Sequence, residues 1–373
     1  MSINFIDLAA QRDRLEPAIS EGIARVVAHC QFILGPEVRE LETKLAEFGN
    51  AKHALGCANG TDAILLPLIS WNIGPGDAVF CPSFTYCATA EVIALRGATP
   101  VFVDIDRETY NMDAGSLRAA IEGVKAEGKL TPRAVISVDL FGQSADYPAI
   151  APICKEHGLK LIADSAQGFG TTLCKEHPLY WADVATTSFF PAKPLGCYGD
   201  GGAVLTDDAD LTHAMDSVRI HGKGTDKYDN VRIGLNSRLD SMQAAILLPK
   251  LAVFADEIKM RNVIAGRYID GLRSKASRVP AVLEGVVSTW AQFTIEAPDP
   301  DAFGAALREK GIPTARYYPK PIHKQSAYEN FPCGAGGMAN TENCMTKIIS
   351  LPMHPYLDED TQDFIIESAK AAL

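Results

Sequence analysis

The run Ser188-Phe-Phe-Pro-Ala-Lys193-Pro-Leu-Gly196-Cys-Tyr-Gly199-Asp-Gly201-Gly202 sets one lysine just beyond an apolar stretch, Val184 to Phe190, and just before another, Ala203-Val-Leu205. An ammonium among Phe189, Phe190 and Leu195 loses hydration, so burial there lowers its pKa. A lysine kept partly neutral attacks carbonyl carbon and forms Schiff bases. Pro194 favours an extended backbone at Lys193, which fixes where the long stem starts. The glycines allow positive φ or a close approach of backbone to a ligand. Taken alone, the same run also fits a surface lysine in a Gly/Pro loop.

From about residue 53 onward, short apolar runs alternate with amphipathic ones. The predicted strands are His53–Cys57, Ala78–Cys81, Pro100–Val103, Ala134–Val138, Lys160–Ala163, Val184–Phe190 and Ala203–Thr206. The predicted helices between them are Thr61–Trp71, Tyr86–Leu95, Ala114–Gly123, Tyr147–His157 and Asp208–Arg219. Continuous apolar strands separated by helices predict an α/β fold whose mostly parallel, seven-stranded sheet is covered on both faces. Before it, residues 1–50 read as an N-terminal helical segment, with helices at Glu16–His29 and Glu37–Phe48. The large α/β domain spans 51–240 and a long bridging helix spans 241–275. A smaller C-terminal α+β domain fills 276–373, with strands at Thr289–Glu296 and Thr314–Tyr318 and helices at Asp301–Lys310, Asn340–Ile348 and Asp358–Ala371.

Composition narrows the classes. In 373 residues, 47% are hydrophobic and 22% charged, as in ordinary soluble globular chains. No apolar run approaches the roughly 20 residues that span a bilayer, and the first residues show no signal-peptide pattern. The nine cysteines are scattered with no C-x-x-C pair, so neither a disulfide framework nor a metal site is expected, and a reducing cytoplasm fits. A formal net charge of −11 without a Lys/Arg-rich block argues against nucleic acid or an anionic membrane as partner.

Ligands of open parallel sheets sit at the carboxyl ends of strands, and several polar groups fall there. Asn59-Gly60-Thr61-Asp62 opens a helix, where backbone N–H groups can take a phosphate and Gly60 lets it come close; a plain N-cap is the alternative. Tyr86, at a strand-to-helix corner, can stack on a flat ring or simply pack in the core. Asp164-Ser-Ala-Gln167 follows Leu161-Ile-Ala, and a carboxylate there needs a cationic partner, such as a protonated pyridine, unless it caps a helix or binds metal. The Ser188 hydroxyl can hold a phosphate oxygen or bond locally to backbone. Asn236 and Arg238 stand just before the bridging helix, and arginine suits carboxylate or phosphate capture. Pyridoxal phosphate needs a Schiff-base lysine, a carboxylate at its pyridinium nitrogen, a ring stacker and a phosphate cup, and this chain offers all four at strand ends. No G-x-G-x-x-G opens the first strand-to-helix turn, which disfavours a dinucleotide-binding dehydrogenase.

The order of these pieces resembles the DegT/DnrJ/EryC1/StrS family of nucleotide-sugar aminotransferases, fold type I (aspartate aminotransferase-like) among pyridoxal phosphate enzymes. The matching stretches are Ile33-Leu-Gly-Pro-Glu37, Asn59-Gly-Thr-Asp62, Pro82-Ser-Phe-Thr-Tyr86, Asp104-Ile-Asp106, Leu140-Phe-Gly-Gln143, Asp164-Ser-Ala-Gln167, Ser188-Phe-Phe-Pro-Ala-Lys193, Gly199-Asp-Gly-Gly202, Gly234-Leu-Asn-Ser-Arg238 and Ser350-Leu-Pro-Met-His354. Within the family the chain looks most like enzymes that aminate UDP-2-acetamido-2-deoxy-3-oxo-glucuronate, on the runs Phe189 to Gly202 and Asn236 to Asp240.

The resemblance implies a transaminase that takes the amino group of glutamate to a nucleotide-linked keto sugar, for cell-surface polysaccharide or O-antigen, through pyridoxamine phosphate. It implies that Lys193 binds the cofactor aldehyde, Asp164 pairs the pyridine nitrogen, Gln167 lies near the ring hydroxyl and Tyr86 stacks on the ring. It further implies that Gly60, Thr61 and Ser188 hold the phosphate, and that Asn236 reaches it from the neighbouring subunit of a homodimer. Arg238 is expected near a carboxylate, and Tyr317, Tyr318 and His323 near the sugar nucleotide. Related uronate enzymes often carry histidine where Tyr317 stands. Relatives with histidine in place of the lysine are dehydratases, so Lys193 favours amine transfer. Other readings are a dTDP- or GDP-keto-6-deoxy-sugar aminotransferase, a pyridoxamine phosphate-dependent dehydratase, and a regulatory protein that binds the cofactor without catalysis.

Overall fold

A computed structural model describes residues 3–226 and 228–373. The seven apolar runs form strands β1 (His53–Cys57), β2 (Asp77–Pro82), β3 (Thr99–Val103), β4 (Thr131–Val138), β5 (Lys160–Asp164), β6 (Val184–Ser188) and β7 (Gly202–Thr206). They join one sheet in the order β1-β7-β6-β5-β4-β2-β3. β7 runs antiparallel to both neighbours, and the remaining adjacent pairs run parallel.

Side chains alternate across this sheet, as the pleat requires. Phe80, Val101, Val135, Leu161, Ala185 and Leu205 point into a core closed by helices Pro36–Phe48, Ala114–Glu127 and Tyr147–His157. Val79, Phe102, Ile136 and Ile162 face the opposite way, against helices Gly60–Ser70 and Ala88–Leu95. Burial on both faces explains why these strands are continuous apolar runs.

Helix Ser241–Leu272, 32 residues long, serves two cores. Ala244, Leu247, Leu251 and Phe254 pack with the sheet. Ile264, Ala265, Tyr268 and Leu272 pack instead with Phe293, Phe303, Leu307, Ile349 and Ile365. Pro249 lies inside this helix and has no N–H, so the Ala245 carbonyl loses its helical donor. Helix Ala18–His29 packs close to that point through Gly22, where a Cβ would come to 3.0 Å from the Ala245 oxygen.

The second core differs from expectation in its strands. Thr314–Tyr318 is not a strand: Ala315 alone exchanges backbone hydrogen bonds with Ser350, and beyond it the Tyr318 hydroxyl is held by Gln167. The predicted helix Asn340–Ile348 stops at Cys344, and β9 (Ile348–Leu351) pairs antiparallel with β8 (Phe293–Glu296). The β-branched pair Ile348-Ile349 favours that strand. The bridging helix ends at Leu272, short of residue 275, and an unpredicted helix, Leu8–Leu15, precedes Pro17. Glu296, on β8, ties the second core to the loop after β3, accepting from Arg107 and from the Tyr110 hydroxyl (2.9 Å). Burial works to raise the Glu296 carboxyl pKa, but these two donors hold it below the ordinary value.

Phe254 is fully buried and stacks on Phe169 at 6.1 Å between ring centroids. Phe254→Ala is expected to lower the free energy of unfolding by about 3–5 kcal/mol in denaturant titration, because a cavity remains where the ring stood.

Candidate active site

The ends of β1, β5, β6 and β7 meet at one place, and glycine permits it. A Cβ on Gly60, which opens the helix after β1, would lie 2.6 Å from the Ser188 Cβ at the end of β6. A Cβ on Gly202, which starts β7, would lie 2.4 Å from the Asn59 carbonyl oxygen. Asn59 caps the helix by accepting from the Asp62 N–H (2.8 Å). Among the described residues the Gly60 and Thr61 N–H groups meet no acceptor, so two donors at the positive end of a helix point out beside the Ser188 hydroxyl. Ser188 Oγ accepts from the Phe190 N–H (3.3 Å), the local bond the sequence allowed, and its own proton stays available.

Asp164 ends β5 and is 4% exposed. Its Oδ2 accepts from the Thr89 hydroxyl (3.0 Å) and its Oδ1 from the Ala166 N–H (3.2 Å). Burial raises its pKa, against the pull of the Ala166 N–H, the Thr89 hydroxyl and the charge of Lys193. Lys193 shows the mirror case: burial lowers its pKa and the Asp164 charge pulls it back up. Lys193 keeps a solvent-reachable face, yet protein surrounds it on most sides. Its carrier is a tight turn. Lys193 N–H donates to the Phe190 carbonyl (2.8 Å), and Phe189 bonds Gly201 and Cys197 through its N–H and carbonyl, each at 2.7 Å.

Gln167 donates from Nε2 to the Tyr318 hydroxyl (2.9 Å), while its Oε1 accepts from the Phe141 N–H (2.8 Å). Tyr86 precedes helix Ala88–Leu95 rather than lying inside it, and its ring is 56% exposed, with the Tyr318 ring 6.4 Å away. An aromatic face this open beside buried charges can stack a flat ligand. Tyr317 lies against Tyr318 (5.8 Å) and Phe5 (6.3 Å).

Other predicted residues stand apart. Arg238 donates to the Asn236 side-chain oxygen (2.7 Å). With Ile33, Ala58, Asp200 and Gln243 they line a separate recess of about 440 Å³ that Asp164 and Lys193 do not reach. His323 is engaged at both ring nitrogens, by Ser83 Oγ at 2.6 Å and Glu342 at 3.2 Å, so its imidazole is not turned to the Asp164–Lys193 pair.

Two residues escaped the sequence reading. Thr89 depends on a fold contact and left no signal. Asp139 follows the apolar run Ala134–Val138 as Asp164 follows Leu161-Ile-Ala, and that parallel is legible. Asp139 accepts from Ser165 Oγ (2.5 Å), Ala145 N–H (2.9 Å) and Tyr147 hydroxyl (2.9 Å), and its N–H donates to the Asp164 carbonyl (3.0 Å). Burial pushes its carboxyl up to about 7.

Residues 14–370 match the DegT/DnrJ/EryC1/StrS aminotransferase family. The chain belongs to that family. It is 45% identical over 362 residues to UDP-2-acetamido-2-deoxy-3-oxo-D-glucuronate aminotransferase of Pseudomonas aeruginosa, covering 95% of this chain and 96% of that one. It is 39% identical over 364 residues to UDP-N-acetyl-3-dehydro-alpha-D-glucosamine 3-aminotransferase of Acidithiobacillus ferrooxidans, covering 96% and 95%. The crystal structure of a DegT DnrJ EryC1 StrS aminotransferase from Brucella abortus superposes with a TM-score of 0.98 at 50% identity, covering 99% of both chains.

A DegT-family aminotransferase uses pyridoxal phosphate, and this site fits it on structural grounds. The free N–H pair beside Ser188 suits a phosphate, the buried carboxylate suits a protonated pyridine nitrogen, and Lys193 suits an aldehyde.

Thr89→Val keeps shape and deletes one hydrogen bond to ionised Asp164. Losing it raises the carboxyl pKa further, so the acid limb of the pH–rate profile is expected to move up by about one unit, with the rate at any pH on that limb falling about 10-fold.

Proposed function

We propose that this aminotransferase moves the amino group of glutamate to carbon 3 of a UDP-linked 3-oxo sugar, UDP-2-acetamido-2-deoxy-3-oxo-glucuronate first among them. The observation that carries the reading is the mutually sensed pair of buried Asp164 and half-buried Lys193, with Tyr318 between that carboxyl and the exposed Tyr86 ring. The choice of sugar is supported by the names of both curated relatives, which place the keto or amino group at carbon 3 of a UDP sugar.

When bound, pyridoxal phosphate supplies the electron sink for breaking the bond to the donor's α-proton. Lys193, whose ammonium burial disfavours, would be the residue placed to take that proton from glutamate and return it on the cofactor side. Asp164, whose ionised form is favoured against burial by the Ala166 N–H and Thr89, would hold a proton on the pyridine nitrogen. Gln167, which donates to Tyr318, would lie near the ring hydroxyl, and Tyr86, whose ring neighbours that of Tyr318, would cover the ring. Gly60, Thr61 and Ser188 would hold the phosphate. Water would supply the oxo oxygen as glutamate leaves as 2-oxoglutarate with its amino group retained on the cofactor, and the same groups working in reverse would pass that amine to the keto sugar and release water. Tyr317 and Tyr318 line the approach of the sugar nucleotide, and His323 braces that loop through Ser83 and Glu342.

Asn236 and Arg238 fit as contributions to the site of a second copy, Asn236 to the phosphate and Arg238 to a carboxylate. The apolar side chains near their recess support this: Phe32 and Ile33 are each 46% exposed, and Ile233 is 90% exposed. In this assignment residues 51–240 form the cofactor-binding domain and 276–373 the smaller α+β domain, with helix 241–272 joining them. Free thiols at all nine cysteines support a cytoplasmic enzyme, and its product would feed cell-surface polysaccharide such as O-antigen. Among the described residues no helix is long and apolar enough to cross a membrane.

The visible absorption band of the loaded protein is expected to bleach with glutamate and return when the 3-oxo sugar nucleotide is added, the amino sugar being read by mass. Lys193→Ala is expected to cut turnover by about 10³-fold or more; turnover at the wild-type rate would remove Lys193 from its role.

A further inference from the structure

Lys250 is 1% exposed, in the first third of helix Ser241–Leu272. Its Nζ donates to the Gly196 carbonyl at 2.7 Å and lies 4.3 Å from the centroid of the Tyr198 ring. Among the described residues it has no carboxylate within ion-pair distance; Glu257, two turns further along the helix, acts on it only at longer range. Burial lowers the ammonium to about 8. A buried ammonium with one hydrogen bond and one aromatic face costs more than a leucine or methionine of similar size would. The packing of the helix therefore does not account for a lysine here, whereas its hydrogen-bond partner does.

Gly196 lies three residues beyond Lys193 on the same turn. The turn folds tightly on itself, since a Cβ on Gly196 would lie 2.5 Å from the Pro191 oxygen and 2.7 Å from the Phe190 oxygen. One side of the turn is fixed to the sheet, through Phe189 with Gly201 and Cys197. The other side meets the long helix at two points seven residues apart, on one helix face: Lys250 at Gly196, and Gln243, whose Oε1 accepts from the Tyr198 N–H at 2.9 Å. Without Lys250 the Gly196 carbonyl loses its donor in a buried setting.

We propose that Lys250 is a positioning residue that fixes the Lys193 turn through the Gly196 carbonyl and the Tyr198 ring, with Lys193 taken as the reacting amine, as proposed above. A shift of about 1 Å in a reacting group is enough to cost about 100-fold in rate.

The test compares wild type, Lys250→Met, Lys250→Arg and Tyr198→Leu, each loaded with pyridoxal phosphate, by amide hydrogen exchange and by steady-state kinetics. In Lys250→Met, exchange across 189–199 is expected to speed up about 10-fold while 131–138 and 160–164 stay unchanged, because a charge-assisted bond to the turn is gone. Its kcat is expected to fall about 10- to 100-fold, with KM for glutamate within about 2-fold. Lys250→Arg, which keeps a cation for both contacts, is expected to return exchange and kcat to within about 3-fold of wild type. Tyr198→Leu, altering a partly exposed ring, is expected to speed exchange across the turn about 3-fold, and it decides the matter if Lys250→Met does not fold. Wild-type exchange across 189–199 in Lys250→Met, or in Tyr198→Leu where that variant decides, overturns the proposal, as does a fall in kcat without faster exchange. Exchange in the cofactor-free proteins separates the two assignments: the turn loosens there even if Lys193→Ala shows that Lys193 is not the reacting amine.

Discussion

Asp164 and Lys193 each lose hydration, and each is steadied by the charge of the other through a medium that screens poorly. Among the described residues no ion pair joins them, and each acts on the other from beyond contact distance. Much of the sheet's end serves this arrangement. β5 carries the carboxyl into the interior, where burial raises its pKa and the Ala166 N–H and Thr89 oppose that rise. Asp139 holds the following turn by accepting from Ser165 and donating to the Asp164 carbonyl. Were the Lys193 charge lost, Asp164 would keep only its Thr89 and Ala166 donors against the cost of burial.

The sequence showed the sheet almost completely, because strands buried on both faces leave continuous apolar runs with little else to confuse them. It showed Asp164 and Lys193 for a related reason: a charged residue at the end of such a run is out of place unless something answers it. It was less informative in the second core, where Ile348 to Leu351 follows a short helix and its apolar residues extend the helical pattern; only pairing with Phe293 to Glu296 makes it a strand. Thr89 and Lys250 were illegible for another reason. Each acts through a partner 75 or 54 residues away, Asp164 and Gly196, and spacing along the chain carries no trace of that. His323 and Tyr318 sit in one loop and look alike as sequence, yet one is braced from behind by Ser83 and Glu342 while the other faces Gln167.

The glycines at the strand ends have separable jobs. Gly60 and Gly202 let three chain segments approach until only hydrogen fits between them, which brings the helix N-terminus against Ser188. Gly196 lets the lysine turn close on itself. The first two shape the phosphate-side end of the strands, and the third lets the chain turn back just after Lys193.

Helix Ser241–Leu272 gives its first half to the sheet-side core and its second half to the other. A single rod embedded in two cores cannot lose one of them without exposing apolar side chains along half its length. Each core therefore stands partly on the integrity of the other, and the chain is built to melt in one cooperative transition rather than lobe by lobe.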